Sequence, residues 1–247
     1  MTSALRDSRP EVTKAPIAVA LDAPDLGVVR AWSRAVAPVV STLKVGLEVF
    51  CRDGAAAVHA ARLGASEVGS ADVQIFLDLK LHDIPATVAG AARAVSELEP
   101  AFLTVHASGG ASMVEAAALA LPDTRIVAVT VLTSMDDATL ASIGMAGPAL
   151  DAAVRLAVMA VDAGARAIVC SPLEVAAIRA AVADDIVLIT PGVRPVGSAA
   201  NDQKRVATPQ EAVAAGADLL VIGRPITAAS DLTEAAWSIA EQLRTGA

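Results

Sequence analysis

The chain alternates between short apolar runs and longer amphipathic stretches along nearly its whole length. Eight apolar runs, rich in Val, Ile, Leu and Ala, each reach a polar residue, a proline or a glycine at their end; they span residues 17–21, 39–43, 74–80, 102–105, 125–132, 167–170, 186–190 and 219–222. Strands that are buried on both faces read as near-continuous apolar runs, which is typical of parallel sheets covered by helices. The pattern therefore predicts eight parallel strands.

A stretch with the helical spacing of apolar residues follows each of these runs. The predicted helices lie near residues 26–37, 54–63, 86–98, 111–121, 149–163, 173–182, 209–215 and 232–243. Eight strand-helix units in a chain of 247 residues favour a closed (β/α)8 barrel, the TIM barrel fold. An open doubly wound sheet is the alternative, but no GxGxxG follows the first strand, so the usual dinucleotide-binding signal is missing.

No change of composition divides the chain, so residues 17–247 are predicted to form a single barrel domain. Residues 1–16 are polar and mixed in charge, and they lack the apolar core of a signal peptide. We therefore expect a flexible N-terminal extension and a cytoplasmic protein.

Composition narrows the classes of function. Hydrophobic residues make up 55% of the chain and its mean hydropathy is +0.57, which raises the question of a membrane protein. Charges nevertheless interrupt every long apolar stretch before the ~18 to 20 residues that a spanning helix needs, so no membrane contact is expected. The net charge of -8 argues against a nucleic-acid surface, because phosphate backbones require clustered Lys and Arg. A small anionic ligand stays possible, since a local cationic pocket can oppose the overall charge.

The third apolar run contains charges where a buried strand should have none. Asp78, Lys80 and Asp83 fall within six positions of the segment 76–85. In a strand, successive side chains point to opposite faces, so Phe76, Asp78 and Lys80 are predicted to share one face, and Leu77 and its alternate neighbours the other. Buried charges persist when they are paired or when a site uses them. A structural ion pair is the simpler interpretation for one pair, but three charges favour a catalytic site.

Other polar residues fall at the ends of the predicted strands. They are Asp22, Lys44, Asp78, Lys80, His106, Ser134 and Arg224. The C-terminal ends of barrel strands form the active-site mouth, so these residues are expected to converge there. The loops after strands seven and eight, which often bind phosphate in such barrels, contain Pro191-Gly192-Val193-Arg194 and Gly223-Arg224. The long connection 194–208 is predicted to be a functional loop.

Metal and nucleophile chemistry are not favoured by the sequence. His106, Asp78 and Asp83 could supply metal ligands, but there is no HExxH motif and Lys80 already offers Asp78 a neutralising partner. We therefore expect no metal. A GxSxG nucleophile elbow is also missing, which argues against acyl transfer.

The segment Asp78-Leu79-Lys80-Leu81-His82-Asp83-Ile84-Pro85 resembles the active-site signature of the orotidine 5'-phosphate decarboxylase family. The resemblance covers residues 17–226 and includes further motifs in the same order and spacing: Leu43-Lys44-Val45-Gly46, Val105-His106-Ala107-Ser108-Gly109-Gly110, Val129-Thr130-Val131-Leu132-Thr133-Ser134, Thr190-Pro191-Gly192-Val193-Arg194-Pro195, Asp202-Gln203 and Val221-Ile222-Gly223-Arg224-Pro225. Several ordered motifs together are far more specific than one.

The resemblance implies a homodimeric barrel that converts orotidine 5'-monophosphate into UMP and carbon dioxide, the last step of de novo pyrimidine nucleotide synthesis, without metal or cofactor. Such an enzyme is a carbon-carbon lyase. By resemblance, Lys80 protonates C6 of the pyrimidine, Asp78 places negative charge near the substrate carboxylate, and Lys44 holds the charge network together. Asp83, with Ile84 and Thr87, reaches the neighbouring subunit's site.

The resemblance also implies a set of substrate-binding residues. They are Asp22 for ribose, Ser134 for the pyrimidine amide, Pro191 for the base pocket, Gln203 for base and phosphate, Gly223 and Arg224 for phosphate, and Arg194 beside them. One position departs from the family pattern, because Asn201 stands before Asp202-Gln203 where many bacterial members have glycine. Asparagine tolerates a left-handed backbone better than most residues, so the loop is expected to keep its shape, and only its kinetics to differ.

Two other functions are compatible with a phosphate-binding barrel. One is a related sugar-phosphate enzyme with the same Asp-x-Lys-x-x-Asp core, which uses magnesium to stabilise an enediolate. Its activity would be lost in a chelator. The His82-Asp83-Ile84-Pro85 continuation, Ser134 and Gln203 argue against it. The other is a non-catalytic nucleotide-binding barrel, which would bind UMP and be indifferent to the loss of Lys80.

Overall fold

The computed structural model of the protein describes residues 14–193 and 207–245. Within these ranges, eight parallel strands pair in chain order and the last pairs with the first, which closes a barrel. The strands are β1 (Ala15–Ala20), β2 (Val40–Gly46), β3 (Gln74–Leu81), β4 (Phe102–His106), β5 (Arg125–Val129), β6 (Ala167–Val169), β7 (Val187–Thr190) and β8 (Leu219–Ile222). The predicted (β/α)8 barrel is confirmed.

Helices connect the strands on the outside of the barrel. In the described ranges they are α1 (Leu26–Val36), α2 (Leu47–Asp53), α3 (Ala55–Ser66), α4 (Pro85–Ala94), α5 (Ala111–Ala120), α6 (Asp137–Ser142), α7 (Ala149–Asp162), α8 (Val175–Arg179), α9 (Pro209–Ala214), α10 (Arg224–Thr227) and α11 (Leu232–Thr245). Their starts follow local chemistry: the Asp25 carboxylate accepts from the backbone N–H of Val28 at 2.9 Å, and Thr208 and Glu211 form a capping box. None of these helices is both long and apolar enough to cross a membrane.

The apolar residues divide into two layers. The larger layer lies between the strands and the helices and takes up most of the buried Val, Ile, Leu and Ala. A smaller cluster fills the inside of the barrel and is built by Ala18, Phe76, Phe102, Val127, Ala167, Ile189 and Leu219. Side chains from seven of the eight strands thus close the barrel interior, so a ligand can enter only above this layer.

Several predicted boundaries are wrong for identifiable reasons. Strand five ends at Val129 and not at residue 132, because its neighbour β6 ends at Val169. The carbonyl of Val169 accepts both the N–H and the hydroxyl of Thr130. The helix predicted over 54–63 is α3, and residues 47–53 before it form a further helix, α2, which ends at Gly54, whose φ is +58. Helices α2, α6 and α10 are absent from the sequence prediction.

The first strand begins earlier than predicted. Ala15 pairs with Val40, and its N–H donates to the carbonyl of Val39 at 2.8 Å, so β1 starts two residues before Ile17. Residues 1–13 lie outside the described ranges, so the flexible extension stays a prediction.

Candidate active site

Neighbouring strands bring two lysines to one carboxylate at the mouth of the barrel. Lys44 Nζ, from β2, lies 3.0 Å from Asp78 Oδ2, and Lys80 Nζ lies 2.7 Å from Asp78 Oδ1. The exposed fractions of the three side chains are 9% for Lys44, 13% for Asp78 and 30% for Lys80. Lys44 and Asp78 are thus the more deeply buried members of the cluster, and Lys80 is the most accessible one.

The two lysines determine the protonation state of Asp78. Burial by itself would raise the pKa of this carboxyl, but the positive charges of Lys44 and Lys80 and their hydrogen bonds outweigh burial and lower the pKa to about 2. The cluster therefore carries one negative charge between two ammonium groups at neutral pH.

This pairing predicts how stability depends on pH. The pKa of Asp78 is lower in the folded protein than the ordinary 3.8, so its stabilising contribution is complete above about pH 4 and is lost as the pH falls towards 2. The contribution is about 2 kcal/mol of unfolding free energy. Urea unfolding between pH 2 and pH 5 should therefore show a flatter pH dependence for Asp78→Asn than for the wild type.

The exposed carboxylate Asp72, which is paired with Lys14 at 2.6 Å, supplies the control for that measurement. Asp72→Asn should keep nearly the wild-type pH dependence, because an exposed pair is screened by solvent. The same slope in Asp78→Asn and the wild type would contradict the assigned ionisation of Asp78.

A cavity of about 200 Å³ opens beside the charged cluster. Asp78 and Lys80 face it from one side, Phe76 forms part of its floor, and the remaining lining residues are Val129, Val131, Leu132, Thr133, Val169, Pro191 and Val221. Apolar walls around one charged side suit a flat ring with a single reacting edge. A larger groove of about 950 Å³ lies between α5 and α7 and contains none of the strand-end residues predicted for the site.

The strand around Lys80 keeps the predicted faces but not a regular backbone. Phe76 packs inside the barrel, whereas Leu77 belongs to the outer apolar layer, as alternation predicts. Lys80 reaches the same cavity as Phe76 and Asp78, yet its φ is +49, in the left-handed region. Non-glycine residues rarely adopt this conformation, and such strain concentrates at functional sites.

Gly46, at the end of β2, leaves room for two of the predicted site residues. A Cβ at this position would lie 2.9 Å from Asp22 Oδ1 and 3.1 Å from Lys44 Nζ. A side chain there would force both groups to shift. Asp22 itself is exposed just beyond β1, and its carboxylate and the Lys44 ammonium both lie close to Gly46.

Some of the residues predicted to bind the base and the phosphate line the cavity, and others do not. Pro191 lines it, whereas Ser134 is exposed and the neighbouring Thr133 lines it instead. Gly223 follows β8 directly and precedes the first turn of α10, where Arg224 is exposed. Arg194, Asn201 and Gln203 lie outside the described residues, so their roles stay predictions.

The segment 82–87 is exposed throughout and does not line the cavity. Asp83 Oδ1 accepts from the N–H of Ile84 at 2.7 Å, and 66% of the Ile84 side chain is exposed. Thr87 lies on the first turn of α4. The structure thus does not bring Asp83, Ile84 and Thr87 to the cavity of their own chain.

His106 lies beside the cluster, with its ring 5.4 Å from that of His82. Burial lowers its pKa, and the charges of His82 and Lys80 lower it further, against the opposing effect of Asp78. Across the described residues no three His, Cys, Asp or Glu side chains form a group that could hold a metal ion.

Thr104 is a site residue that the sequence prediction missed. It is fully buried on β4, and its hydroxyl contacts Asp78 Oδ1 at 3.1 Å and the backbone N–H of Lys80 at 2.8 Å. The sequence does contain an indication of this residue, because a hydroxyl in the apolar strand 102–105 is the same kind of anomaly as the charges of β3.

The closed barrel, with its charged cluster above a plugged interior and beside an apolar cavity, defines a (β/α)8-barrel enzyme whose active site lies at the C-terminal ends of the strands. The chain matches the model of the orotidine 5'-phosphate decarboxylase / HUMPS family over residues 15–239. It belongs to this family, as its motifs predicted.

Individual relatives agree with the family. The orotidine 5'-phosphate decarboxylase of Thermobifida fusca is 64% identical over 94% of this chain and 98% of its own length. That of Frankia casuarinae is 54% identical over 93% of this chain and 88% of its own length. Among solved structures, orotidine 5'-phosphate decarboxylase from Lactobacillus acidophilus matches with a TM-score of 0.76 and 34% identity, covering 93% of this chain and 99% of that one.

Proposed function

We propose that this protein decarboxylates orotidine 5'-monophosphate to UMP and carbon dioxide, with Lys80 as the proton donor to C6. The observation that carries the proposal is the Lys44–Asp78–Lys80 cluster, in which the most exposed ammonium faces a cavity with apolar walls. Membership of the family and the names of its close relatives support the same reaction. The enzyme is a carbon-carbon lyase that completes the synthesis of UMP.

The cluster supplies what this reaction needs. When the bond between C6 and the carboxylate breaks, the electron pair stays on C6 and carbon dioxide leaves. The Lys80 ammonium stabilises this developing charge and then gives its proton to C6, which leaves UMP and a neutral amine. Asp78 holds the Lys80 ammonium at 2.7 Å before the reaction, and Lys44 neutralises Asp78 from the buried side. No metal or cofactor enters this scheme.

With C6 beside Lys80, the positions of the pyrimidine, the ribose and the phosphate follow. The pyrimidine lies between the apolar walls of the cavity, with Pro191 on one side. Ser134, which follows the lining residue Thr133, is assigned to its amide edge by the family motif alone. Asp22, beside Lys44, binds the ribose. Gly223 and Arg224 bind the phosphate together with Arg194 and Gln203 from the loop after β7, and binding energy gained there orients the reacting carbon.

A homodimer completes each site in this proposal. Asp83, Ile84 and Thr87 are exposed and do not line the cavity of their own chain. In a two-fold dimer the same segment of each subunit can enter the other subunit's site. Asp83 then adds a second carboxylate beside Lys80 of the neighbour.

Absorbance of orotidine 5'-monophosphate in the ultraviolet tests the reaction directly, because loss of the carboxyl group changes the pyrimidine spectrum. With purified protein and excess EDTA, the spectrum is expected to convert fully to that of UMP at the rate measured without EDTA. Heat-denatured protein serves as the blank.

Each alternative function predicts a different result. Conversion that disappears in EDTA and returns with magnesium would contradict the metal-free reaction. No spectral change, together with measurable UMP binding by calorimetry, would favour the magnesium-dependent sugar-phosphate enzyme or the nucleotide-binding barrel.

A further inference from the structure

The third strand is irregular where it carries Lys80. Leu77 pairs with Leu103 on β4. Leu81 already pairs with Val105, so four steps along β3 match only two along β4. The strand therefore bulges towards its end, and within the bulge the backbone of Lys80 is left-handed, with a φ of +49.

Thr104 is the β4 residue that faces this bulge, and its side chain is fully buried. Its hydroxyl accepts the backbone N–H of Lys80 at 2.8 Å and donates to Asp78 Oδ1 at 3.1 Å. These directions are fixed, because an amide N–H can only donate and an ionised carboxylate can only accept.

The contacts form a closed ring around Lys80. The Asp78 oxygen that accepts from Thr104 also accepts from Lys80 Nζ, at 2.7 Å. One hydroxyl thus joins the backbone of Lys80 to the carboxylate that holds its ammonium. Thr104 does not line the cavity, so any effect it has on the reaction passes through these two residues.

We propose that Thr104 is a positioning residue for decarboxylation, which holds the left-handed backbone of Lys80 and thereby aims its ammonium at C6. The inference rests on the proposed role of Lys80. A left-handed conformation at a non-glycine residue persists only where surrounding contacts hold it. Without the hydroxyl, the Lys80 N–H loses its partner and the left-handed backbone loses a contact that holds it, so the direction in which the ammonium points is no longer fixed.

Thr104→Val keeps the shape of the side chain and removes both hydrogen bonds. We expect kcat for orotidine 5'-monophosphate to fall roughly 10- to 100-fold, because hydrogen bonds to charged groups are lost. KM should change by no more than about threefold, since Thr104 does not touch the substrate. Thr104→Ser, which restores the hydroxyl, should keep kcat within about threefold of the wild type.

A second buried threonine provides the matched control. Thr42 is buried on β2, its hydroxyl contacts Ser41 at 3.2 Å, and it does not line the cavity. Thr42→Val should keep wild-type kcat and KM. Circular dichroism and UMP binding check that each variant is folded.

Three results would overturn the inference: wild-type kcat in Thr104→Val, an equal loss in Thr104→Ser, or an increase confined to KM. The role of Lys80 is tested separately by Lys80→Ala. If that variant is inactive while Thr104→Val is fully active, only the positioning role fails.

Discussion

Lys80→Ala is expected to lower kcat for orotidine 5'-monophosphate by at least ~10³-fold, because the variant loses both the proton donor and the charge that stabilises the developing carbanion. Asp78 keeps Lys44 as its partner at 3.0 Å, so the barrel should stay folded. Steady-state kinetics from the ultraviolet assay, with UMP affinity measured by calorimetry, separate a chemical defect from a binding defect.

The Lys14–Asp72 pair gives the matched control for this substitution. Its atoms lie 2.6 Å apart, and the two residues precede β1 and β3, at the end of the barrel opposite the mouth. Lys14→Ala also removes one ammonium from a carboxylate, yet it should leave kcat unchanged. A Lys80→Ala enzyme that retains more than about a tenth of the wild-type kcat would exclude Lys80 as the proton donor.

Mixing Lys80→Ala with Asp83→Ala is expected to restore activity that neither variant has alone. Asp83→Ala should lower kcat by at least ~10²-fold, since a charge placed beside the reacting groups is lost. In a mixed dimer, one site combines the intact Lys80 of one subunit with the intact Asp83 of the other. Random assortment of equal amounts makes roughly a quarter of all sites intact, so the mixture should reach about that fraction of wild-type activity.

The exchange of subunits must be shown independently, for example by energy transfer between labelled chains. Exchange without recovery of activity would contradict the contribution of Asp83 to the neighbouring site. Mixing Lys80→Ala with Asp78→Asn supplies the control. Lys80 and Asp78 belong to the cluster of a single chain, so every site of a mixed dimer still carries one of the two substitutions and no activity should return.

Much of the fold could be predicted from local patterns. The apolar runs identified all eight strands, because a strand covered on both faces must be apolar along its length. The exceptions to that rule, Asp78 and Lys80, pointed to the candidate site for the same reason, since buried charges are costly unless they are paired or used. Ordered motifs then identified the family.

Boundaries and details of the site were less accessible. The end of β5 depends on how far β6 extends, and the division between α2 and α3 depends on the conformation of Gly54. Thr133 rather than Ser134 lines the cavity, a difference that the orientation of one turn decides. The first of these outcomes depends on Val169, which lies 39 positions from Thr130, so no local pattern contains it.

The number and order of the strands and the chemical types at their ends can be read from the chain alone, because periodicity and burial act over a few residues. The fold is needed to show that Lys44 on β2 meets Asp78 on β3 and that Thr104 on β4 accepts a hydrogen bond from the left-handed Lys80. These contacts join residues 24 to 34 positions apart, as for Lys80 with Thr104 and Lys44 with Asp78, and they follow from the register and the bulge of the closed barrel. Register is a property of paired strands, so no single strand contains it.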